Sequence, residues 1–155
     1  MTEQTPDAMP AELRAPASAA EWAAYHDIRR RVLFELRGQG DVYDSNHPDE
    51  LRAGHHPLIL WNGAEAVGVI RVDIEGDVAI FRRVAIREDV QRRGHGRRLL
   101  SYAERFAETH SCRRIRSYVD AGAVGFYERC GFRRVDAAAP DSGPVFMAKV
   151  LANPA

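Results

Sequence analysis

A chain of 155 residues, 45% hydrophobic and 28% charged, is long enough to bury one core and has the composition of a soluble globular protein. Its 22 basic and 22 acidic residues cancel, which argues against a general attraction to nucleic acid or to a membrane surface. No apolar run approaches membrane-spanning length and the opening residues lack a signal-peptide core, so the expectation is a cytoplasmic protein.

Residues 1–10, "MTEQTPDAMP", are polar and broken by proline, and read as a mobile tail before a single domain over 11–155. "AELRA" at 11–15 reads as a first strand. Ser18 and Glu21 have capping-box spacing, and the helix behind them carries Trp22, Tyr25, Val32, Leu33 and Leu36 on a face interrupted by Arg29. It is expected to stop near Gly38 and Gly40, before a polar stretch over 38–56 with room for one short helix after Pro48. Three strand-like runs follow, "HPLILWNG", "EAVGVIRVDIEGD" and "DVAIFRRVAI", joined by Asn62-Gly63 and Glu75-Gly76-Asp77 turns into an antiparallel meander. "RRLLSYAERFAETH" has Leu99, Leu100, Ala103, Phe106 and Ala107 at helical spacing, and "CRRIRSYVD" alternates as a strand. Strand, helix and strand from 78 to 119 predict a right-handed crossover with those two strands parallel. A short helix closed by Gly131 and two strands, "FRRVD" and "PVFMAKVL", complete the chain. The fold class is therefore α+β, a mostly antiparallel mixed sheet of six to seven strands with flanking helices.

Cys112 and Cys130 are too few for a disulfide scaffold or zinc site and read as buried free thiols. His47, His55 and His56 fit no zinc spacing, so they read as exposed loop histidines and no metal is expected. The informative stretch is Val90-Gln91-Arg92-Arg93-Gly94-His95-Gly96-Arg97-Arg98, lying where a strand gives way to a helix. A helix start presents unpaired N–H groups and the positive end of its dipole, and glycine lets a ligand approach that backbone closely. With Arg92, Arg93, Arg97 and Arg98 around it, the stretch reads as a site for a phosphate-sized anion. It has neither the Gly-Lys-Ser/Thr ending of a P-loop nor the third glycine of a dinucleotide fingerprint. The plain alternative is a turn with solvated arginines, His95 between the glycines pointing outward.

From about Ile28 to Leu151 the chain resembles the GNAT-type N-acetyltransferases. That family's Gln/Arg-x-x-Gly-x-Gly/Ala signature is matched by Gln91-Arg92-Arg93-Gly94-His95-Gly96, and its aromatic-Tyr-Glu-x-x-Gly-Phe element by Phe126-Tyr127-Glu128-Arg129-Cys130-Gly131-Phe132. The resemblance implies acetyl-CoA as co-substrate. It implies that the backbone of Val84, Ala85 and Ile86 bonds the pantetheine arm like an added strand, and that amides from Arg92 to Arg97 hold the pyrophosphate. It also implies a splay between the fourth and fifth strands that admits the thioester, with the Val84 amide near its carbonyl to stabilise an oxyanion.

Tyr127 matches the family tyrosine whose hydroxyl lies near the thioester sulfur, a role suited to a phenol protonated at neutral pH. Asp120 stands seven residues earlier where the family often has a cofactor-contacting asparagine; an aspartate keeps the acceptor oxygen, loses the amide donor, and could cap the next helix instead. No general base carries over. Ile115 stands where some relatives have glutamate, and Asp73, Glu75 and Asp77 read as solvated turn carboxylates. The expected activity is N-acetylation of an amine on a small molecule or peptide, with no nucleic-acid or membrane partner and, as among relatives, a homodimer as one possible assembly. Two alternatives stay open, a CoA-binding regulatory or sensor domain without catalysis and a nucleotide-phosphate-binding module. Segments 28–56 and 136–147 would shape the acceptor site. The acids of 40–50, Asp41 and Asp44 among them, would attract a cationic amine if they flank its entrance.

Overall fold

The computed structural model describes residues 11–34, 51–135 and 144–151. Its strands are β1 (Ala11–Arg14), β2 (His55–Asn62), β3 (Glu65–Glu75), β4 (Val78–Ile86), β5 (Arg114–Val119), β6 (Arg133–Arg134) and β7 (Val145–Val150). Three α-helices flank them: α1 (Ala19–Arg29), α2 (His95–Thr109) and α3 (Val124–Arg129). The strands form one seven-stranded sheet in the order β1-β2-β3-β4-β5-β7-β6. Every pair is antiparallel except β4 with β5, the two strands joined through α2.

The turns follow the residue chemistry. Gly63 and Gly76, with φ of 63° and 61°, supply the left-handed positions that close the two tight connections of the meander. β3 is buried from Val67 to Asp73 because helices cover both faces of the sheet there. On one face α2 places Leu99, Leu100, Ala103 and Ala107 against the larger core, which also holds Phe81, Ile115, Phe132 and Met147. On the other, Tyr25 and Ile28 of α1 pack on Ile59, Trp61, Val69 and Ala85.

The capping-box expectation is met at one end only. Ser18 Oγ accepts from the Glu21 amide at 3.1 Å. The Glu21 carboxylate accepts from the Ala17 amide at 2.8 Å and pairs with both terminal nitrogens of Arg14, which ties the helix start to β1. Arg29, the break in the apolar face, is buried and donates to the Tyr25 hydroxyl at 2.9 Å. After Arg29 the helix widens into a π-helical turn over Arg30–Phe34, a local form that recurs at functional sites. The expected helix end near Gly38, the short helix after Pro48 and the acids of 40–50 lie outside the described residues.

Three readings need correction. His55 and His56 are part of β2, not of an exposed loop; Pro57 is tolerated in that strand because β1 pairs only with Ile59–Asn62, leaving one side of β2 free at the proline. The penultimate strand is only two residues long. The helix expected from Arg97 begins two residues earlier, at His95. The chain's single lysine, Lys149 on β7, donates to Glu104 Oε2 at 2.7 Å and to the Cys130 carbonyl at 2.9 Å, joining α2, the end of α3 and β7. Cys112 is buried and Cys130 half-buried, both free, and burial raises both thiols above their ordinary pKa.

Candidate active site

The sheet is interrupted in the middle of β4. Val78 to Phe81 pair with Arg114 to Ser117 of β5, and beyond Phe81 that pairing stops. β4 remains bonded to β3, but Val69 faces Ala85 while Arg71 faces Arg82, so two residues of β3 oppose three of β4. The extra residue is a bulge with Arg83 in the left-handed region at φ 57°. The bulge bends β4 away from β5. The Ser117 hydroxyl donates to the Phe81 carbonyl at 3.2 Å where the strands part.

The gap opens into a cleft of about 1000 Å³. Val84, Ala85 and Ile86 form one wall, Asp120 and Tyr127 the other, and Gln91, Arg92, Gly94, Gly96 and Arg97 close one end. Val32, Leu33 and Phe34, from the π-helical turn, line the far end with Tyr118. Arg93 and His95 are not on the cleft wall. Arg93 is exposed beside it. His95 is corrected from an outward to an inward position: it is 7% exposed on the core-facing side of α2. Burial, then Arg98, Arg93 and Arg87, hold its imidazole below the ordinary histidine pKa.

The loop before α2 is shaped for an anion. Arg92 and Gly94 both take left-handed conformations, φ 66° and 85°, and Gly94 is the residue before the helix. The first helical bond runs from the Arg98 amide to the Gly94 carbonyl at 3.1 Å, and no side chain caps the helix. The amides of His95, Gly96 and Arg97 are thus first-turn donors without a side-chain partner. Gln91 does not extend toward the cleft. Its amide donates to the Ile86 carbonyl at 2.9 Å, pinning the loop to the end of β4. Arg87 engages Asp89 at 2.6 Å and the Ala66 carbonyl at 3.0 Å, which neutralises the nearest carboxylate and drops its pKa below the usual range. Arg92, Arg93, Arg97 and Arg98 make no ion pair among the described residues.

Tyr127 is 7% exposed, with Phe126 and Phe132 packed edge-on against its ring. Burial pushes its phenol up to about 12, the neighbouring Ser117 hydroxyl pulling the other way. Asp120 precedes the single 3₁₀ turn Ala121–Ala123 but its carboxylate does not cap it. It is the one carboxylate among the described residues of the cleft wall.

Of the three candidate bases, Glu75 and Asp77 are exposed at their turn, but Asp73 is not a solvated turn carboxylate. It is 2% exposed and takes a two-pronged contact from Arg71 (2.8 and 3.0 Å) and one from Arg82 Nε (2.8 Å), with His55 Nε2 at 3.4 Å. So many donors hold it as a structural anion, away from the cleft wall. Ile115 is fully buried in the core. His56 stacks against Phe106 and His110, and its pKa is lowered, by burial first. Among the described residues no group of three His, Cys, Asp or Glu side chains is placed to hold a metal. None of their helices is long and apolar enough to cross a membrane.

The sequence profile of the acetyltransferase (GNAT) family matches residues 22–132, well over half of the chain. The chain belongs to the GNAT acetyltransferase family. The seven-stranded mixed sheet with its flanking helices is the GNAT fold. A candidate N-acetyltransferase from Lactobacillus plantarum shares 27% identity at a TM-score of 0.75, with 92% of this chain and 98% of that one covered. The ribosomal-protein-S18-alanine N-acetyltransferase of Escherichia coli superposes at 0.73 with 16% identity, covering 94% and 97%. The PaiA N-acetyltransferase of Thermoplasma acidophilum, solved with coenzyme A, gives 0.69 at 18% identity, covering 92% and 100%. The last two likenesses are of fold. Within this GNAT cleft, Ser117 is the site residue that sequence reasoning passed over, although its alternation with buried Ile115 and Val119 set a hydroxyl on an apolar face.

Proposed function

We propose that this chain is an acetyl-CoA-dependent N-acetyltransferase that moves the acetyl group to an amine of a small molecule or peptide by direct attack on the thioester. The observation that carries the reading is the uncapped start of α2, with Gly94 in the left-handed region, opening onto a cleft that runs past the unpaired half of β4 to a buried phenol. The coenzyme-bound PaiA enzyme of the same fold supports the choice of ligand.

The residues present fit that ligand. A diphosphate would take the amides of His95, Gly96 and Arg97 with the guanidinium groups of Arg92 and Arg97 around it. The backbone of Val84, Ala85 and Ile86, which has no β5 partner, would take the extended arm as a strand edge takes a peptide. The Val84 amide would face the thioester carbonyl. As the acceptor nitrogen forms its bond to the carbonyl carbon, the carbon–sulfur bond breaks and the thiolate requires a donor. Tyr127 supplies it: at about 12 the phenol keeps its proton throughout the physiological range. The acceptor ammonium loses its proton to water in the cleft, since Asp73 is locked in its arginine pair.

Thiol release from acetyl-CoA, measured against a panel of amines, tests the reading. Release with at least one amine is expected. Tight coenzyme A binding with no release by any amine would favour a regulatory domain, and competition by ATP as strong as by acetyl-CoA would favour a nucleotide-phosphate module.

A further inference from the structure

Strand register sets which side chains share the face of the sheet on which α1 packs. That helix covers Val69 and Ala85, and the bulge at Arg83 shifts the phase so that Arg82 joins the same face. Beyond the helix the face carries Arg71 and Asp73 of β3, Ile80 and Arg82 of β4, Arg114, Arg116 and Tyr118 of β5, and Phe146 of β7. The cleft emerges here, between Val32–Phe34 and Tyr118.

The charges on this face do not balance. Asp73 is consumed by Arg71 and by Arg82 Nε. The two terminal nitrogens of Arg82 have no acceptor among the described residues, and its side chain is 39% exposed. Arg114 and Arg116 are exposed and make no hydrogen bond or ion pair among the described residues; Arg116 only lies over the Phe146 ring, 5.9 Å from its centre. Tyr118 is 55% exposed and meets Phe146 edge-on at 4.9 Å, so an apolar platform adjoins the free guanidinium groups. Desolvated, pre-oriented arginine forks select carboxylates, and repel an acceptor that is only a cation.

We infer that the acceptor is an amine that also carries a carboxylate, taken by Arg82 and Arg116 with its apolar body on Tyr118 and Phe146. The inference rests on the acetyltransferase reading and narrows its substrate class. In the transfer, the acceptor nitrogen gains the acetyl carbon as the carbon–sulfur bond breaks. One proton leaves the nitrogen for solvent, and Tyr127 gives one to the sulfur. The carboxylate takes no part except to orient the amine.

The test compares phenylalanine, leucine and glutamate, each with the amine it would become on losing its α-carboxylate, and spermidine as the carboxylate-free polycation. At least one amino acid is expected to exceed its decarboxylated partner in kcat/KM by ~10-fold or more, the scale of one charge-assisted contact. Arg116→Gln and, separately, Arg82→Gln should raise that acceptor's KM by about as much and leave the acetyl-CoA KM unchanged. Arg116 holds no other side chain in place, so its variant stays informative even if Arg82→Gln loosens Asp73. Calorimetric binding of the same amino acids to coenzyme A-loaded protein separates two failures. Binding that both variants weaken, without turnover, upholds the carboxylate site and removes the transferase reading. Preference for the decarboxylated amines or spermidine, no amino-acid binding, or a preference unaltered in Arg116→Gln overturns the inference.

Discussion

The two halves of β4 differ in one respect that decides their use. Val78 to Phe81 are bonded to strands on both sides, whereas residues 82–86 are bonded to β3 alone. Both halves are comparably apolar in sequence, so the local residues do not distinguish them. What differs is a bulge at Arg83 that withdraws one partner. The closed half gives the sheet its continuity, and the open half leaves a backbone edge that a ligand can occupy. In this fold a binding site is made by omitting a strand contact rather than by adding a side chain.

The contrast can be broken from either side. Phe81 is buried at the last closed position and packs against Phe132. Phe81→Ala should cost about 3–5 kcal/mol of stability, read from the denaturation midpoint. Val84→Ala, in the open half, is expected to leave that midpoint much closer to wild type while weakening acetyl-CoA binding. Equal losses of stability would mean that the two halves are not mechanically distinct.

Next in size is Tyr127→Phe, which removes only a hydroxyl. Turnover should fall roughly 10²-fold with coenzyme A affinity retained. Because the phenol stands near 12, wild-type activity should show no descending limb from this group below about pH 11. Wild-type turnover in the variant, with chemistry rate-limiting, would move leaving-group protonation elsewhere.

The two glycines of the loop should separate by cause. A Cβ on Gly96 would lie 3.1 Å from the Phe126 ring, whereas on Gly94 it would meet nothing but would sit at φ 85°. Gly96→Val should therefore lower coenzyme A affinity by ~10-fold or more through crowding at the cleft floor. Gly94→Ala should act through backbone strain, costing about 1–2 kcal/mol of stability. Calorimetry and thermal melting of both variants distinguish the two effects.

The smallest effect is in acid. His95 is held below its ordinary pKa of 6.5, so the native state binds fewer protons than the unfolded chain below that pH. Its contribution is complete above about pH 6.5 and fades as pH falls through the folded pKa. His95→Gln should flatten the decline in melting temperature between pH 7 and 5. An unchanged slope would assign the acid sensitivity to another group, with His56 the next to test.

Much of this fold was legible because its elements are periodic and its turns are chemically explicit, as at Asn62-Gly63 and Glu75-Gly76. The glycine loop was legible for the same reason, a breaker pair between two regular patterns. Asp73 was not, because its partners Arg71 and Arg82 lie on its own strand and the next, and only the register brings them together. His95 was misjudged by a helix frame begun two residues late; from His95, the steps to Leu99, Ala103 and Ala107 are each four residues and lead into the core. The bulge at Arg83 leaves no signature, since an arginine at positive φ has no compositional mark. Its consequence, the parting of β4 from β5, could be anticipated only through the family resemblance.

The ion pair of Lys149 has a meaning beyond its role as a tether. A protein that holds an activated acetyl group keeps an acylating agent at high local concentration beside its own surface. Lysine amines are the side chains most open to that chemistry, and this chain has one, with its nitrogen fixed between Glu104 and the Cys130 carbonyl. Elsewhere its cationic side chains are arginine, whose guanidinium stays protonated and un-nucleophilic at any pH the enzyme would meet. The molecule thus handles an amine acylation with almost no lysine amine of its own to modify.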